Sequence, residues 1–290
     1  MRLAAALGSA LLLFPAGAWQ PARKVAELAN PAITESSGIA PSVRNRGLYW
    51  THNDSGRPLL FLFGPDGRDA GTWTVAGARN VDWEDIAVGP GPERGRGYIY
   101  IGDIGNNNRP RSELIIYRVP EPLASAAVRA TERAIAVRFR YPDSPHDAEA
   151  LLVHPKTGDI YIATKERGGE VPVYKLAAPH SPGNVRTLTP VGTVRLPNDV
   201  DISFLVGRIT GGAISRDARR VVLCDYLRAY EALVPEGAAF DSVWKRRFHA
   251  IDVDVRKQGE SITYSLDGRS LLLTSEGSPC PLFEAKRDRP

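Results

Sequence analysis

Five stretches of this chain repeat one pattern. In each, a short apolar strand that begins at an acidic or small residue is followed by a polar turn and a second apolar strand. Self-similarity of this kind predicts a repeat architecture, and repeats built from strands alone are typical of β-propeller blades. We therefore predict an all-β fold, a five-bladed β-propeller, with a six-bladed ring as the alternative. Uneven spacing between the repeats indicates loop insertions. The repeats begin near Ser37, Glu84, Glu149, Gly212 and Glu260.

The two ends of the chain are predicted to meet in one blade. The fifth repeat is one strand short, and residues 24–29 can supply the missing strand. This splice would close the ring and leave no open sheet edge, so removing residues 22–30 should destabilise the whole domain. The fourth repeat carries a helical pattern of apolar residues at Phe240, Val243, Trp244 and Phe248, which predicts one short helical insertion in blade four.

Residues 1–18 have the features of a signal peptide. They contain a basic start at Arg2, an apolar run and a small-residue end at residues 16–18. We therefore expect residues 19–290 to form a single propeller domain that is periplasmic or secreted. No later stretch approaches the roughly 18 apolar residues of a membrane span. We expect a monomer without a transmembrane segment.

Charge and cysteine content narrow the classes of partner. The net charge is +4, but the basic residues are scattered, without a basic stripe or interleaved aromatic residues. We therefore expect no nucleic-acid partner. Export would permit a disulfide between Cys224 and Cys280, which lie in neighbouring repeats. The sequence leaves both a disulfide and two buried thiols open.

The first strands of the repeats carry acidic residues at matching positions. In a propeller the first strand of each blade lines the central channel, so these carboxylates should converge there. They would repel one another unless a cation neutralises them, and a ligand set made only of oxygen favours Ca²⁺ over Zn²⁺. The alternative is that they bond to backbone amides and line a solvated channel. The predicted metal ligands are Glu35, Asp82, Glu84, Asp147, Glu149 and Glu260.

A second polar group is predicted at the mouth of the channel, where the second strands end. His52 and Asp103 are candidate acid–base residues, because Asp54 and Asp82 can lie close to His52 and shift its pKa. Hydrogen bonding alone is the other interpretation of His52, and solvated surface charge is the other interpretation of the cations. A small-molecule ligand or substrate is expected here, and its predicted contacts are Asn53, Asp54, Asn106, Arg109, Lys165 and Glu276.

Nucleophilic catalysis has little support in the sequence. Residues 19–290 lack a Gly-x-Ser-x-Gly elbow, and neither cysteine has a histidine nearby in its repeat. Any hydrolysis would therefore depend on water activated by a metal ion, or on polarisation of the substrate by the metal.

Several motifs resemble those of secreted bacterial propellers grouped with phytase-like esterase domains and, more distantly, calcium-dependent apyrases and lactonases. They lie at residues 35–39, 52–56, 80–87, 102–107, 147–151 and 258–263. The resemblance implies a propeller in which axial acidic residues hold Ca²⁺, here Glu35, Glu84, Glu149 and Glu260. The fourth repeat departs from that pattern, because Thr210 and Gly212 stand where acids would be.

Two predictions of function follow. The first is a calcium-dependent hydrolase that acts on a phosphoester, ester or lactone. The second is a non-catalytic propeller that binds a ligand or a protein and holds a structural ion in its channel. Fold alone does not choose between them, because propellers serve both purposes.

Overall fold

The computed structural model describes residues 19–107, 110–197, 208–253 and 258–288. Five separate sheets form five blades in a propeller arrangement, which confirms the all-β prediction and the five-bladed ring. The first strand of each blade contacts the first strands of both neighbouring blades, so these five strands form a closed inner ring. Residues 1–18, the predicted signal peptide, lie outside the described residues.

The strands run in order from the channel outwards in each blade. Blade one contains β2 (Ser36–Pro41), β3 (Tyr49–Asn53), β4 (Leu59–Phe63) and β5 (Asp69–Thr74). Blade two contains β6 (Trp83–Pro90), β7 (Gly97–Asp103), β8 (Leu114–Pro120) and β9 (Ile135–Arg140), with β13 (Arg186–Thr187) added in parallel to β9. Blade three contains β10 (Ala148–Val153), β11 (Ile160–Thr164), β12 (Glu170–Leu176) and β14 (Thr189–Arg195). Blade four contains β15 (Gly211–Ile214), β16 (Arg220–Cys224), β17 (Ala229–Leu233) and β18 (His249–Ile251).

Blade five joins the two ends of the chain, as predicted. It contains β19 (Gly259–Tyr264), β20 (Ser270–Ser275) and β21 (Pro281–Lys286), and its outermost strand is β1 (Arg23–Glu27). β1 pairs antiparallel with β21, with Arg23 opposite Glu284 and Glu27 opposite Pro281. The ring is therefore closed by backbone hydrogen bonds between the two ends of the domain.

The cores lie between neighbouring blades. Between blades one and two, Trp50, Trp73 and Trp83 are fully buried in one apolar cluster. The predicted helical insertion is a single 3₁₀ helix, Phe240–Lys245, in which Val243 and Trp244 are buried. This helix belongs to blade four but packs against β14 of blade three, so it ties the two blades together.

Both cysteines are buried, and Cys224 and Cys280 are not joined in a disulfide. Burial raises the pKa of Cys280 to about 12, which keeps its thiol protonated. Within the described parts of the chain, no helix is long and apolar enough to cross a membrane.

Candidate functional site

A β-bulge interrupts the first strand of four blades. The pairing register skips one residue between Ser36 and Gly38, Trp83 and Asp85, Ala148 and Ala150, and Gly259 and Ser261. A bulge takes the skipped residue out of the ladder and changes the direction of its side chain. In blade four, the pairing of β15 runs without a shift through Gly211 and Gly212. The skipped residues are Ser37, Glu84, Glu149 and Glu260, which are the same residues at which the sequence repeats begin.

Three of these skipped residues form a buried carboxylate cluster, which we call the central trio: Glu84, Glu149 and Glu260. Their exposed fractions are 6%, 4% and 5%. Lys165, the residue after β11, forms an ion pair with Oε1 of Glu149, and its ammonium lies 5.2 Å from the centre of the Tyr226 ring. Oε2 of Glu149 is buried without a hydrogen-bond partner. The trio is therefore incompletely neutralised by the side chains around it.

The pKa values of the trio are raised. Burial raises the pKa of Glu149 to about 7, with repulsion from Asp147 and Asp82 adding to the effect and Lys165 opposing it. Burial and repulsion by Glu149 raise the pKa of Glu260 to about 8. Burial also raises the pKa of Glu84 well above its ordinary value, with repulsion from Glu149 and Asp82. Mutual repulsion in a desolvated space makes the ionised trio costly unless a positive charge is added.

Asp82 and Asp147 lie beside the trio. A Cβ atom at Gly105 would collide with both Oε1 of Glu84 and the carboxylate of Asp82, so these two acids face the same spot. The Asn106 backbone N–H donates to Oδ1 of Asp147 at 2.7 Å. The glycine therefore allows both carboxylates to lie against the backbone of the segment that follows β7.

A second acidic group lies at the rim of the mouth and consists of Glu35, Asp54 and Glu276. Ser55 Oγ donates to Oε2 of Glu35 at 2.7 Å, and hydrogen bonds from Asp54 and Ser55 lower the pKa of Glu35. Burial, the hydrogen bond with Glu35 and repulsion from Glu35 and Glu276 raise the pKa of Asp54 to about 7. Repulsion between Glu276 and Glu260 connects the rim to the trio.

His52 lies one residue away from its expected position. In the register of blade one, Asn53 is opposite Ser36 and therefore takes the place that Asp103 has in blade two. A shift of one residue turns a strand side chain to the other face. His52 is fully buried, its ring lies edge-on to Trp83, Nδ1 is 3.0 Å from the Asn53 carbonyl oxygen, and burial lowers its pKa to about 4. The catalytic role of His52 stays a prediction, and the structure places its ring in the core.

Asp103 forms an ion pair that the sequence analysis missed. Arg111 Nη1 lies 2.7 Å from Oδ1 of Asp103, which is fully buried. Arg111 also donates through Nη2 to the Gly105 carbonyl oxygen at 2.6 Å. The pair therefore fixes the segment that follows β7. Its signal in the sequence was weak, because an arginine in a loop looks like any solvated surface charge.

The two predicted amide contacts bond to the backbone. Asn53 Oδ1 accepts from the N–H groups of Thr34 and Glu35 at 3.1 and 3.2 Å, which holds the segment that carries Glu35. Asn106 Oδ1 accepts from the Arg111 N–H at 2.6 Å, and its Nδ2 donates to the His146 carbonyl oxygen at 3.2 Å. Both residues therefore hold the backbone around the channel mouth in place. Arg109, another predicted contact, lies outside the described residues.

Asp85 is a residue of the channel that the sequence analysis did not identify. It follows the bulge of β6 and is 1% exposed. Its carboxylate accepts from the backbone N–H groups of Leu151, Ile86 and Gly212 at 2.9, 2.8 and 3.4 Å. Asp85 therefore joins the inner strands of blades two, three and four, and burial raises its pKa well above the ordinary value. Its only sequence signal was its place as the second of two adjacent acids.

The oxygen atoms at the channel mouth are of the type that binds Ca²⁺, but their arrangement does not enclose an ion. They are carboxylate oxygens, the ligands that Ca²⁺ prefers, and they include the unpartnered Oε2 of Glu149 and the carboxylates of Glu84 and Asp82 that lie against Gly105. As these side chains stand, no group of three or more His, Cys, Asp or Glu among the described residues is arranged to hold a metal ion. An ion would therefore require the carboxylates to move closer together.

Comparison of the chain with models of known families and with curated proteins finds no match. The propeller arrangement rests on the structure alone. The resemblance to the phytase-like esterase group stays a prediction.

Proposed function

We propose that the acidic mouth binds a cation and that this cation is Ca²⁺. The observation that carries the proposal is the central trio, in which Oε2 of Glu149 is buried without a partner beside two other buried carboxylates. An unpaired charge in a desolvated place is costly, and a bound cation would offset that cost. We assign the ion to Glu84, Glu149 and Glu260, with Asp82 and Asp147 beside them and Glu35 at the rim.

Lys165 has a defined part in this proposal. Its ammonium contacts the carboxylate of Glu149. An arriving divalent cation would compete with that ammonium for the same carboxylate. Lys165 would then be available at the mouth for an anionic group of the ligand, because an ammonium attracts phosphate and carboxylate.

The activity that we propose for this site is hydrolysis of a phosphoester or an ester. A bound Ca²⁺ would supply positive charge that polarises such a substrate. Lys165 would orient the anionic group, while Arg111 would hold Asp103 and the loop after β7 in place. Asp103 or His52 would assist proton transfer, which requires access to groups that are buried in the structure.

Calcium titration by isothermal calorimetry on the metal-stripped domain tests the proposal, with the melting temperature followed in parallel. We expect one bound ion, a rise in melting temperature, and loss of binding in Glu149→Gln and Glu260→Gln. Glu170→Gln is the matched control, because Glu170 is exposed and pairs only with the exposed Arg195 among the described residues. No heat and no thermal shift would contradict calcium binding. Phosphoesters, esters and lactones would be screened on the loaded protein.

The second candidate function is non-catalytic binding of an organic cation. The observation in its favour is that an ammonium, that of Lys165, already lies between a carboxylate and the ring of Tyr226. A carboxylate beside an aromatic ring is a common way to bind an ammonium group. Titration with methylammonium and with arginine separates the candidates, because binding of either without calcium binding would favour this second function.

Export and oligomeric state are part of the same proposal. We propose that residues 1–18 direct the chain out of the cytoplasm and that the remainder acts as a monomer. Fractionation with N-terminal sequencing tests the first, and light scattering tests the second. Recovery of an uncleaved chain in the cytoplasm would contradict export.

A further inference from the structure

A second opening lies at the end of the channel that is opposite the carboxylates. It is a cavity of about 490 Å³ lined by residues from all five inner strands and from the turns that follow some of them. The lining comes from the second halves of these strands and includes Pro41, Val88, Val153 and Ile214. Ile86 and Gly212, two of the backbone partners of Asp85, belong to this lining, whereas no member of the central trio does. The cavity is therefore separate from the acidic mouth.

Aliphatic side chains and polar groups both line this cavity. Val88, Ala213 and Ile214 are only partly buried although they lie on inner strands, so part of each apolar side chain remains uncovered. Two glycines let the wall pack closely: a Cβ at Gly89 would collide with Val153, and a Cβ at Gly212 would lie 2.7 Å from Leu223. Uncovered apolar surface in a concave space favours an apolar ligand.

The charged residues of the lining are Arg96 and Arg216, and the lining contains no acidic residue. Arg96 is neutralised by Glu93 at 2.8 Å and by Glu132. Arg216 is exposed and has no ion pair or hydrogen bond to another residue in the described part of the chain. The cavity thus has one available positive charge at its edge.

We propose that this cavity binds a small apolar molecule that carries one anionic group. The apolar part would fill the space between the five strands, and the carboxylate, sulfonate or phosphate would pair with the guanidinium of Arg216, whose planar donors suit such groups. The volume is within the usual range for small-molecule sites, roughly 300–1,000 Å³. The same anion would be repelled at the carboxylate end of the channel, so the two ends select ligands of opposite charge.

Two fluorescent probes test this proposal on the whole domain: anilinonaphthalene sulfonate, which is apolar and anionic, and N-phenylnaphthylamine, which is apolar and neutral. We expect both to bind with one-to-one stoichiometry and the anionic probe to bind more tightly. Arg216→Ala should lower the affinity for the anionic probe by about tenfold, because it removes one charge-assisted contact worth about 1.4 kcal/mol. The affinity for the neutral probe should stay unchanged. Arg219→Ala is the matched control, because Arg219 is an exposed arginine on the same turn but does not line this cavity.

A second variant tests the location. Ala87 is a partly buried residue of the lining, and Ala87→Leu should reduce the affinity for both probes because it fills part of the space. Far-ultraviolet circular dichroism and the melting temperature establish that each variant is folded. Absence of binding of either probe, or equal effects of Arg216→Ala and Arg219→Ala on the anionic probe, would overturn the proposal. Binding that persists unchanged in Ala87→Leu would place the probes elsewhere and would overturn it too.

Discussion

The ammonium of Lys165 lies on the carboxylate of Glu149, and the two side chains are only 13% and 6% exposed. Both residues belong to one hairpin of blade three. Glu149 is the residue that the bulge of β10 skips, and Lys165 directly follows β11, with its N–H donating to the Asp147 carbonyl oxygen at 2.9 Å. The hairpin therefore carries both an acid of the trio and the cation that partly neutralises it.

Removing that cation should destabilise the domain. Lys165→Met leaves Glu149 buried without its partner, and breaking a buried pair costs about 3 kcal/mol of unfolding free energy. Urea denaturation measures this loss. Lys24→Met is the control, because the Lys24–Glu27 pair is half exposed and should contribute less than about 1 kcal/mol. Equal effects of the two substitutions would contradict a special role for Lys165.

Stability should fall as pH rises in the absence of a divalent cation. The folded-state pKa values of Glu149 and Glu260, about 7 and about 8, lie above the ordinary value of 4.5. Between about pH 4.5 and about pH 8 the folded protein binds more protons than the unfolded chain. The stabilisation from the protonated carboxyls is therefore full below about pH 4.5 and is lost as pH rises through about 7 to 8. Urea denaturation across this range measures the slope.

The control for this pH dependence is a pair of substitutions. Glu260→Gln removes one titrating group, so it should flatten the slope, whereas Glu170→Gln should leave it unchanged. A slope that is flat in the original protein, or equally steep in Glu260→Gln, would show that the trio does not titrate in this range.

The fold and the acidic residues of the inner strands could be predicted because each repeat carries the same local sequence pattern. A strand that begins with Glu84, Glu149 or Glu260 has the same apolar continuation, and the fifth blade visibly lacks a strand that residues 24–29 can supply. The register in which the strands pair was harder to predict. The alignment of His52 with Asp103 differs from the register by one residue. The bulge lies at the same place in both blades, but Ser36 pairs with Asn53 and Trp83 with Asp103, so the two hairpins differ in length.

Interactions between blades could not be predicted from one repeat at a time. Asp85 accepts hydrogen bonds from blades three and four, and these donors are backbone N–H groups that carry no side-chain signal. The pairing of Arg111 with Asp103 likewise depends on how the loop after β7 folds back.

Deleting residues 22–30 should unfold or strongly destabilise the propeller. The deletion removes β1, leaves the edge of β21 without its partner, and removes the buried side chains of Ala22 and Leu28. An unpaired edge is also a template for association, so we expect oligomers at raised concentration. Thermal melting and light scattering measure the two effects. Val25→Ser is the control, because Val25 on the same strand is 46% exposed and its loss should matter little. A deletion variant that melts like the original would contradict closure of the ring by β1.

Asp85→Ala should loosen the inner ring of strands. The substitution leaves the Leu151, Ile86 and Gly212 amides without their acceptor in a fully buried place, and each unsatisfied group costs about 1–3 kcal/mol. We expect a loss of several kcal/mol in unfolding free energy, measured by urea denaturation, and faster hydrogen exchange at the amides of Leu151 and Gly212. Asp85→Asn keeps one carbonyl acceptor of the same shape, so the unfolding free energy should fall less.

The control is Asp66→Ala, at a solvent-exposed turn, which should leave both measurements almost unchanged. If Asp85→Ala and Asp66→Ala behaved alike, the carboxylate of Asp85 would not be what joins blades two, three and four.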